Sequence, residues 1–317
     1  MATNKYNGVY DGSGMTVVII DTGASKYVPN DNVVYSYDFA NNDDDAYNPG
    51  FYHGGAVAQV AQDVASGINI IHLKVFGDYK GSLASLYDIE TALQWVIKNS
   101  EVYNIVSVNI SLGLGNVASY TDNIYTDEYQ ELDDLDIITT VAAGNSAKSY
   151  ATDGINDMDA SESVIAVSAV DHKNKFTDFS QKHSDLTDIS ALGEDVPVAG
   201  LTLSGTSFSA PVIAGAAAII QQIALEKLGH KITDEQFLDL IQKTADKIDP
   251  ASYSTGVKSA QAASSSPMSV TMMEAVNSVT PNVDPGGHIG SAYQLYPTSN
   301  QVEITDTLGG SDDKDYY

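Results

Sequence analysis

One expected helix constrains this chain more than any other feature. Residues 203–220 read LSGTSFSAPVIAGAAAII, and after Pro211 almost every residue is small or apolar. A helix that is apolar on every side is a buried helix. Pro211 is expected in its first turn, where the N–H that proline lacks would have no helical partner. Ser207 would then lie at the N-terminus of a buried helix, beside unpaired backbone N–H groups.

Such a position suits a nucleophile whose substrate develops negative charge, because the helix dipole places its positive end there. The plainer interpretation of the same residues is a serine-rich helix cap. The segment alone does not separate a nucleophile from a helix cap. The motifs in the rest of the chain are needed to distinguish them.

Several apolar runs are expected to be buried parallel strands of one sheet. Residues 16–20 read TVVII and are followed by Asp21, which would lie at the carboxyl end of its strand. Catalytic groups of open α/β sheets gather at that edge. Further runs of this kind occupy residues 69–76, 105–110, 136–142 and 164–170. His72 in the second run is expected to be a strand residue without a catalytic task.

Polar or glycine-containing triplets follow two of these strands, and a histidine opens a helix. Ser111-Leu112-Gly113 follows the run 105–110, and Ala143-Gly144-Asn145 follows the run 136–142. His53 begins the sequence HGGAVAQVAQDV, whose valines and alanines fall on one helical face. Residues 83–98 show the spacing of an amphipathic helix that covers the sheet.

Taken together, these motifs resemble those of the subtilisin-like serine proteases, the subtilase or peptidase S8 family. The segment from Gly205 to Pro211 resembles the family's nucleophile motif G-T-S-x-S/A-x-P, and the order Asp, His, Ser is the subtilisin order. The helix that begins at His53 resembles H-G-T-H-V-A-G, with Gly55 in place of threonine and Ala56 in place of the second histidine. The resemblance covers about residues 15–248.

The resemblance implies a fold, an activity and a role for each residue. The fold would be a three-layer α/β sandwich with a largely parallel, doubly wound central sheet. The activity would be endopeptidase cleavage of polypeptide substrates. Asp21 would orient His53, His53 would take the proton of Ser207, and Asn145 would meet the oxyanion together with the Ser207 backbone N–H.

The resemblance also implies how a substrate is held. The backbone of Ser111, Leu112 and Gly113 would pair with the substrate chain as an added strand. Ala143 and Gly144, which precede the oxyanion residue, are also expected to bind the substrate.

Three other interpretations fit parts of the same sequence. Asp21-Thr22-Gly23-Ala24 also fits the aspartic-protease signature, but that chemistry needs two carboxylates, and a second D-T/S-G is absent. A serine esterase of the α/β-hydrolase kind needs G-x-S-x-G ahead of its acid and histidine, whereas the serine comes last here. A catalytically silent binding or scaffold module of the same fold draws its support from the departures in the HGGAVA motif.

Composition bounds the partners and the compartment. The 317 residues contain 42 Asp and Glu against 15 cations, all of them lysine, for a net charge of −27. A surface this acidic repels polyanions, so nucleic-acid binding is not expected. The chain has no cysteine, no stretch that resembles a signal peptide and none that is expected to span a membrane. Secretion is favoured by the acidic tail, and an intracellular location stays open.

The acidity and the family resemblance together suggest structural calcium. Asp43, Asp44 and Asp45 in the loop NNDDD are the candidate ligands. A solvated loop is the alternative interpretation of that acidic run.

The domain organisation is expected to be one catalytic domain with additions. It would span residues 1–300, with a surface insertion at about 250–285 that contains a short helix at 271–279, and a return to the family's final segment at 286–295. Residues 301–317 form an acidic tail that resembles the opening of an appended calcium-binding β module. An inhibitory propeptide is expected from the family and would be either missing or removed, and the protein is expected to be a monomer.

Overall fold

The computed structural model describes residues 10–248, apart from 49, 80 and 81, together with residues 261 and 262. The expected segments at 271–279, 286–295 and 301–317 lie outside the described residues. Of the expected insertion at 250–285, only residues 261 and 262 are described. The described part is built on one large sheet and five α-helices.

A parallel sheet forms the centre. Its strands are β1 Thr16–Asp21, β2 Val33–Asp38, β3 Asn69–Lys74, β4 Ile105–Ile110, β5 Ile138–Ala142, β6 Ile165–Val170, β7 Ile189–Leu192, β10 Asp246–Lys247 and β11 Gln261–Ala262. Seven parallel strands lie in the order β2-β3-β1-β4-β5-β6-β7, and the two short strands β11 and β10 extend the sheet beyond β7. A separate hairpin pairs β8 (Val196–Val198) with β9 (Leu201–Leu203). Strands β1, β4 and β6 are buried along their whole length, as strands covered on both faces must be.

Helices cover both faces of this sheet. Their bounds are α1 His53–Val64, α2 Leu86–Asn99, α3 Thr126–Asp134, α4 Thr206–Leu228 and α5 Asp234–Thr244, with a short 3₁₀ helix at Ala147–Ser149. Helices α1, α4 and α5 share one apolar core with the sheet, and α2 and α3 share the core on the other face. The predicted three-layer, doubly wound α/β sandwich is therefore confirmed.

The strand order places the end of β1 at a functional edge. The chain runs from β1 outward to β2, returns to β3, and crosses β1 to reach β4, so the direction of winding changes at β1. Ligands of open α/β sheets bind outside the carboxyl ends of the strands at such a point. Asp21, the last residue of β1, lies there.

Helix α4 is the buried helix that the sequence predicts. It is packed between α1 and strands β4 to β7. Among the described residues, α4 passes the length and composition test for a helix that could cross a membrane. The sequence predicts no stretch of this kind. The most apolar window of α4 is 83% buried inside the protein, as in the core helix of a globular fold.

The predicted position of Pro211 is wrong. Helix α4 begins at Thr206, so Pro211 is its sixth residue and lies beyond the first turn. A proline there removes the hydrogen bond that its N–H would give to the carbonyl four residues earlier, which is the carbonyl of Ser207. The hydroxyl of Ser111 donates to that carbonyl instead.

Candidate active site

The last residue of β1 and the first residue of α1 form a buried acid–imidazole pair. Asp21 Oδ1 lies 2.8 Å from His53 Nδ1, and the side chains are only 1% and 4% exposed. The backbone N–H of Thr22 also donates to Asp21 Oδ1, at 2.6 Å. The carboxylate is therefore fixed by its own turn while it orients the imidazole through Nδ1, which is the arrangement that a serine–histidine mechanism requires of its acid.

Two glycines allow α1 to start this close to the β1 turn. The N–H of Gly54 donates to Thr22 Oγ1 at 3.0 Å. A Cβ on Gly54 would lie 2.5 Å from the carbonyl oxygen of Gly23, and one on Gly55 would lie 2.7 Å from that of Val28. Both obstacles are backbone, so a side chain at either position would push the helix away from Asp21. The glycine that departs from the family motif at position 55 is thus explained by close packing.

Ser207 is the second residue of α4, and the residue after it packs near His53. The side chain of Ser207 is buried, and the ring of the next residue, Phe208, lies 5.6 Å from the His53 ring between centroids. Helices α1 and α4 pack on each other along the same face of the sheet. The structure therefore brings the N-terminal ends of both helices, and with them His53 and Ser207, to the carboxyl end of β1.

Ser111 holds the first turn of α4. Its hydroxyl donates to the Ser207 carbonyl at 3.0 Å and so replaces the bond that Pro211 cannot give. In return, Ser207 Oγ donates to the Ser111 carbonyl at a longer 3.5 Å. Asn109 Nδ2 donates to Ser111 Oγ at 2.8 Å, and Thr140 Oγ1 donates to Asn109 Oδ1 at 3.1 Å. A buried chain of hydrogen bonds thus connects β5 and β4 to the serine.

Thr206 orients the side chain of Asn145. Asn145 Oδ1 accepts hydrogen bonds from the Thr206 N–H at 2.8 Å and from the Thr206 hydroxyl at 3.0 Å. The N–H of Gly144 donates to Thr206 Oγ1 at 3.1 Å. Because two donors fix which end of the amide is the oxygen, the Nδ2 group is the end that can donate elsewhere. That orientation is the one an oxyanion donor needs.

Two stretches of backbone contact the first residues of α4, and they are named for the roles proposed below. We call residues 111–116, which follow β4, the substrate edge, and residues 143–146, which follow β5, the oxyanion loop. The predicted substrate-binding residues Ser111, Leu112 and Gly113 lie in the first, and Ala143 and Gly144 lie in the second. Strands β4 and β5 are parallel neighbours, so both stretches leave the sheet on the same side.

The acidic loop is exposed, and its carboxylates bond to their own backbone. Asp43 pairs with Asp38 through the backbone, and its Oδ1 accepts the N–H of Asp45 at 2.9 Å. Asp45 Oδ1 in turn accepts the N–H of Tyr47 at 3.1 Å. These carboxylates cap their own turns, and Asp43, Asp44 and Asp45 are exposed. Within the part of the chain that the structure describes, no three acidic, histidine or cysteine side chains are grouped to hold a metal ion.

His72 lies in β3, as predicted, and is completely buried. Its Nε2 lies 3.0 Å from Asn30 Oδ1, and Asn30 Nδ2 donates to the carbonyl of Gly55 at 2.9 Å. Burial lowers the pKa of His72 to about 4, partly offset by the nearby charge of Asp21. His72 is therefore neutral at physiological pH and ties β3 to the helix that carries His53.

Sequence reasoning missed several residues that support the site. Thr206 belongs to the motif around Ser207, so its role could have been found there. Thr22, next to Asp21, carries the same kind of signal. Gln181 and Asn156 are distant in sequence, and their side chains reach the oxyanion loop or its preceding strand only in the folded chain. Asn156 also contacts that loop through its backbone, since its N–H donates to the carbonyl of Ala143 at 2.9 Å.

The fold and the placement of these residues define a protein of the subtilisin-like α/β class. The chain belongs to the subtilase family, whose sequence model matches residues 12–270. It is 31% identical over 236 residues to a subtilisin-like protease of Coccidioides posadasii, which covers 69% of this chain and 56% of that protein. It is 30% identical over 259 residues to the subtilisin of Bacillus pumilus, covering 77% of this chain and 88% of that protein.

A solved structure, that of a cold-adapted subtilisin-like serine proteinase, shows the same fold. The match has a TM-score of 0.66 and 24% identity, and it covers 82% of this chain and 92% of the other. The chain spans little more than half the length of some curated relatives, 56% in the case of the Coccidioides protein.

Proposed function

We propose that this protein is a serine endopeptidase that hydrolyses peptide bonds through Asp21, His53 and Ser207, with Asn145 as an oxyanion donor. The observation that carries the proposal is the buried 2.8 Å pair of Asp21 and His53 beside the helix that presents Ser207. Membership of the subtilase family supports the same chemistry.

Each residue has one task in the proposed reaction. Ser207 Oγ attacks the carbonyl carbon of the peptide bond while His53 takes its proton through Nε2. Asp21 keeps the imidazole in the required tautomer through Nδ1 and stabilises its protonated form. The carbonyl oxygen becomes an oxyanion, and Asn145 Nδ2 and the backbone N–H of Ser207 donate to it.

The tetrahedral intermediate then collapses. His53 gives its proton to the departing amine, which leaves an ester between Ser207 and the acyl half of the substrate. Water attacks this ester while His53 takes its proton, His53 then gives that proton to Ser207 Oγ, and the acyl half leaves as a carboxylic acid. The same residues therefore serve both halves of the reaction.

The substrate is proposed to be a polypeptide in an extended conformation. Its backbone would add as a strand to Ser111, Leu112 and Gly113, since strand addition suits a backbone edge that leaves the sheet beside the nucleophile. Ala143 and Gly144 would line the opposite side. The net charge of −27 disfavours strongly acidic substrates at low ionic strength.

The silent-module alternative is weakened by the packing of α1. Its support is the departure of HGGAVA from the family motif, and a Cβ on Gly55 would lie 2.7 Å from the carbonyl oxygen of Val28, which gives a packing reason for the glycine at that position. The acid–imidazole pair is in place despite the departures at Gly55 and Ala56.

The direct test combines labelling with hydrolysis. The wild type, Ser207→Ala and the control Ser209→Ala are treated with a fluorescent fluorophosphonate and assayed on a chromogenic peptide. Ser209 is a buried serine of the same helix whose hydroxyl bonds to the Ala191 carbonyl. We expect labelling and hydrolysis in the wild type and the control, and neither in Ser207→Ala. A folded wild type that is neither labelled nor active would favour the silent module.

The remaining parts of the proposal rest on resemblance. We propose an extracellular, monomeric enzyme released from an inhibitory propeptide, with structural calcium for which Asp43, Asp44 and Asp45 stay the candidate ligands. Cell fractionation and light scattering test the location and the oligomeric state. Unfolding temperatures with EDTA, and with EDTA followed by excess calcium, test the ion, and an unchanged temperature would contradict it.

A further inference from the structure

Gln181 is a buried side chain that joins the two backbone stretches of the site. It lies between β6 and β7 and is only 3% exposed. Its Nε2 group donates to the carbonyl of Gly115 at 3.0 Å and to Asn116 Oδ1 at 2.9 Å, both in the substrate edge. Its Oε1 accepts the N–H of Ser146 at 3.3 Å, in the oxyanion loop. One amide group therefore bonds to both stretches.

The residues on either side of Asn145 are both held by Gln181. Its backbone N–H donates to the Gly144 carbonyl at 2.8 Å, while its side chain holds Ser146. A Cβ on Gly144 would lie 2.2 Å from Gln181 Oε1, so the amide packs directly against that backbone. Gly144 also has a φ of +106°, which favours glycine. The loop and the amide are thus in close contact.

Gln181 is itself anchored to the sheet. The hydroxyl of Ser168, a fully buried residue of β6, donates to the Gln181 carbonyl at 2.8 Å. The oxyanion loop is consequently fixed relative to β6 as well as to the chain that follows β4. Thr206 fixes the side chain of Asn145, and Gln181 fixes the backbone on which that side chain stands.

We infer that Gln181 is a positioning residue for the hydrolysis: its amide holds the oxyanion loop against the substrate edge, so that Asn145 meets the oxyanion of a peptide bound on that edge. This inference rests on the proposed function. Gln181 has no contact with the reacting atoms in this assignment and acts through Gly144, Ser146 and Gly115. An oxyanion donor acts on charge that develops in the transition state, so its displacement lowers kcat more than it raises KM.

The test replaces the amide while keeping its shape. Gln181→Met removes every side-chain hydrogen bond at nearly the same length, and Gln181→Glu removes the donor to Gly115 and Asn116. We expect both variants to lose about 10- to 100-fold in kcat, since small misplacements in an active site cost up to that much. KM should change by less than about threefold. The affinity for a peptide aldehyde, whose adduct with Ser207 carries the oxyanion, should fall with kcat.

A matched control separates positioning from stability. Gln221 is a completely buried glutamine of α4 that bonds to the Asp136 and Ile232 carbonyls and accepts the Ile232 N–H, away from the site. Gln221→Met should lower the midpoint of urea unfolding while kcat and aldehyde affinity stay near wild-type values. If Gln181→Met does not fold, Gln181→Glu carries the test.

The outcomes also separate this inference from the proposed function. A wild type without activity or fluorophosphonate labelling overturns both. An active wild type whose folded Gln181 variant keeps its kcat and aldehyde affinity within about threefold overturns the positioning role alone. An equal loss of kcat in Gln221→Met would do the same, because the effect would then follow from lost stability.

Discussion

The hydroxyl of Ser111 should stabilise the first turn of α4. Pro211 has no N–H to give to the Ser207 carbonyl, and Ser111 Oγ supplies the missing bond at 3.0 Å. Ser111→Ala leaves that buried carbonyl without this donor, which costs about 1–3 kcal/mol in comparable cases. If the whole penalty reached the transition state, kcat would fall about 5- to 150-fold, since 1.36 kcal/mol corresponds to a factor of ten. We expect a fall of about tenfold, because part of the penalty lowers stability instead.

Pro211→Ala tests whether the Ser111 hydroxyl replaces the N–H that the proline lacks. Pro211→Ala restores the N–H that a regular helix would direct at the Ser207 carbonyl. In that background the Ser111 hydroxyl becomes redundant, so Ser111→Ala should cost much less in the double variant than in the wild type. The difference is a coupling energy, which we expect to be on the order of 1 kcal/mol.

The assay measures kcat on a chromogenic peptide and the free energy of unfolding in urea for the four proteins of this cycle. Ser107→Ala is the control, because Ser107 is a buried serine of β4 whose hydroxyl bonds to the Ile138 carbonyl at 2.7 Å. It should lose stability and keep its kcat. If Ser111→Ala costs as much in the Pro211→Ala background as in the wild type, the proposed link between the proline and the hydroxyl is wrong.

Four further predictions follow from the same contacts. Asp21→Asn should lower kcat by about 10⁴-fold with little change in unfolding, measured by peptide hydrolysis, because the imidazole loses its orienting anion; a loss below tenfold would contradict the assigned role. Thr206→Val removes one bond to the Asn145 amide and the acceptor of the Gly144 N–H, so kcat should fall about tenfold at nearly constant KM, whereas Thr206→Ser should retain most activity. Gly54→Ala should destabilise the fold by about 1–3 kcal/mol and abolish fluorophosphonate labelling, since its Cβ meets backbone; normal labelling would show that α1 can shift without harm. His72 has a folded-state pKa of about 4, below its ordinary value of 6.5, so between these values the unfolded chain binds a proton that the folded chain excludes. The stability present above pH 6.5 is therefore lost as the pH falls, and the wild type should lose about 2 kcal/mol more unfolding free energy than His72→Gln between pH 7 and pH 5. Parallel pH curves for the two proteins would refute this.

The sequence predicts the buried part of the fold well. Largely apolar runs rich in β-branched residues predict β1, β3, β4, β5 and β6 to within a few residues. Such strands are covered on both faces, so their composition alone marks them. Strand β2 was not predicted: it lies at the edge of the sheet, and Val33 and Val34 are 42% and 44% exposed. A half-exposed strand carries no continuous apolar run, and its pairing with β3 depends on the rest of the sheet.

The polar details of the site depend on contacts that sequence spacing does not show. Asp43, Asp44 and Asp45 have the composition of a calcium loop, yet the structure uses two of them to cap turns. The prediction for Pro211 failed because the helix begins five residues before it, which a motif cannot reveal. The roles of the four central residues, by contrast, stay predictions whose geometry is consistent with the family pattern.

The contacts that hold the groups of the site come from several strands along one edge of the sheet. Asp21 is held by the turn after β1, the Ser207 carbonyl by the chain after β4, and the oxyanion loop by a residue anchored to β6. Each group of the proposed mechanism is therefore positioned from a different strand, and all of them are attached to one sheet. Preorganised donors stabilise a transition state because they do not have to rearrange when charge develops. A buried parallel sheet supplies that rigidity, whereas the same groups on surface loops would have to be ordered anew by each substrate.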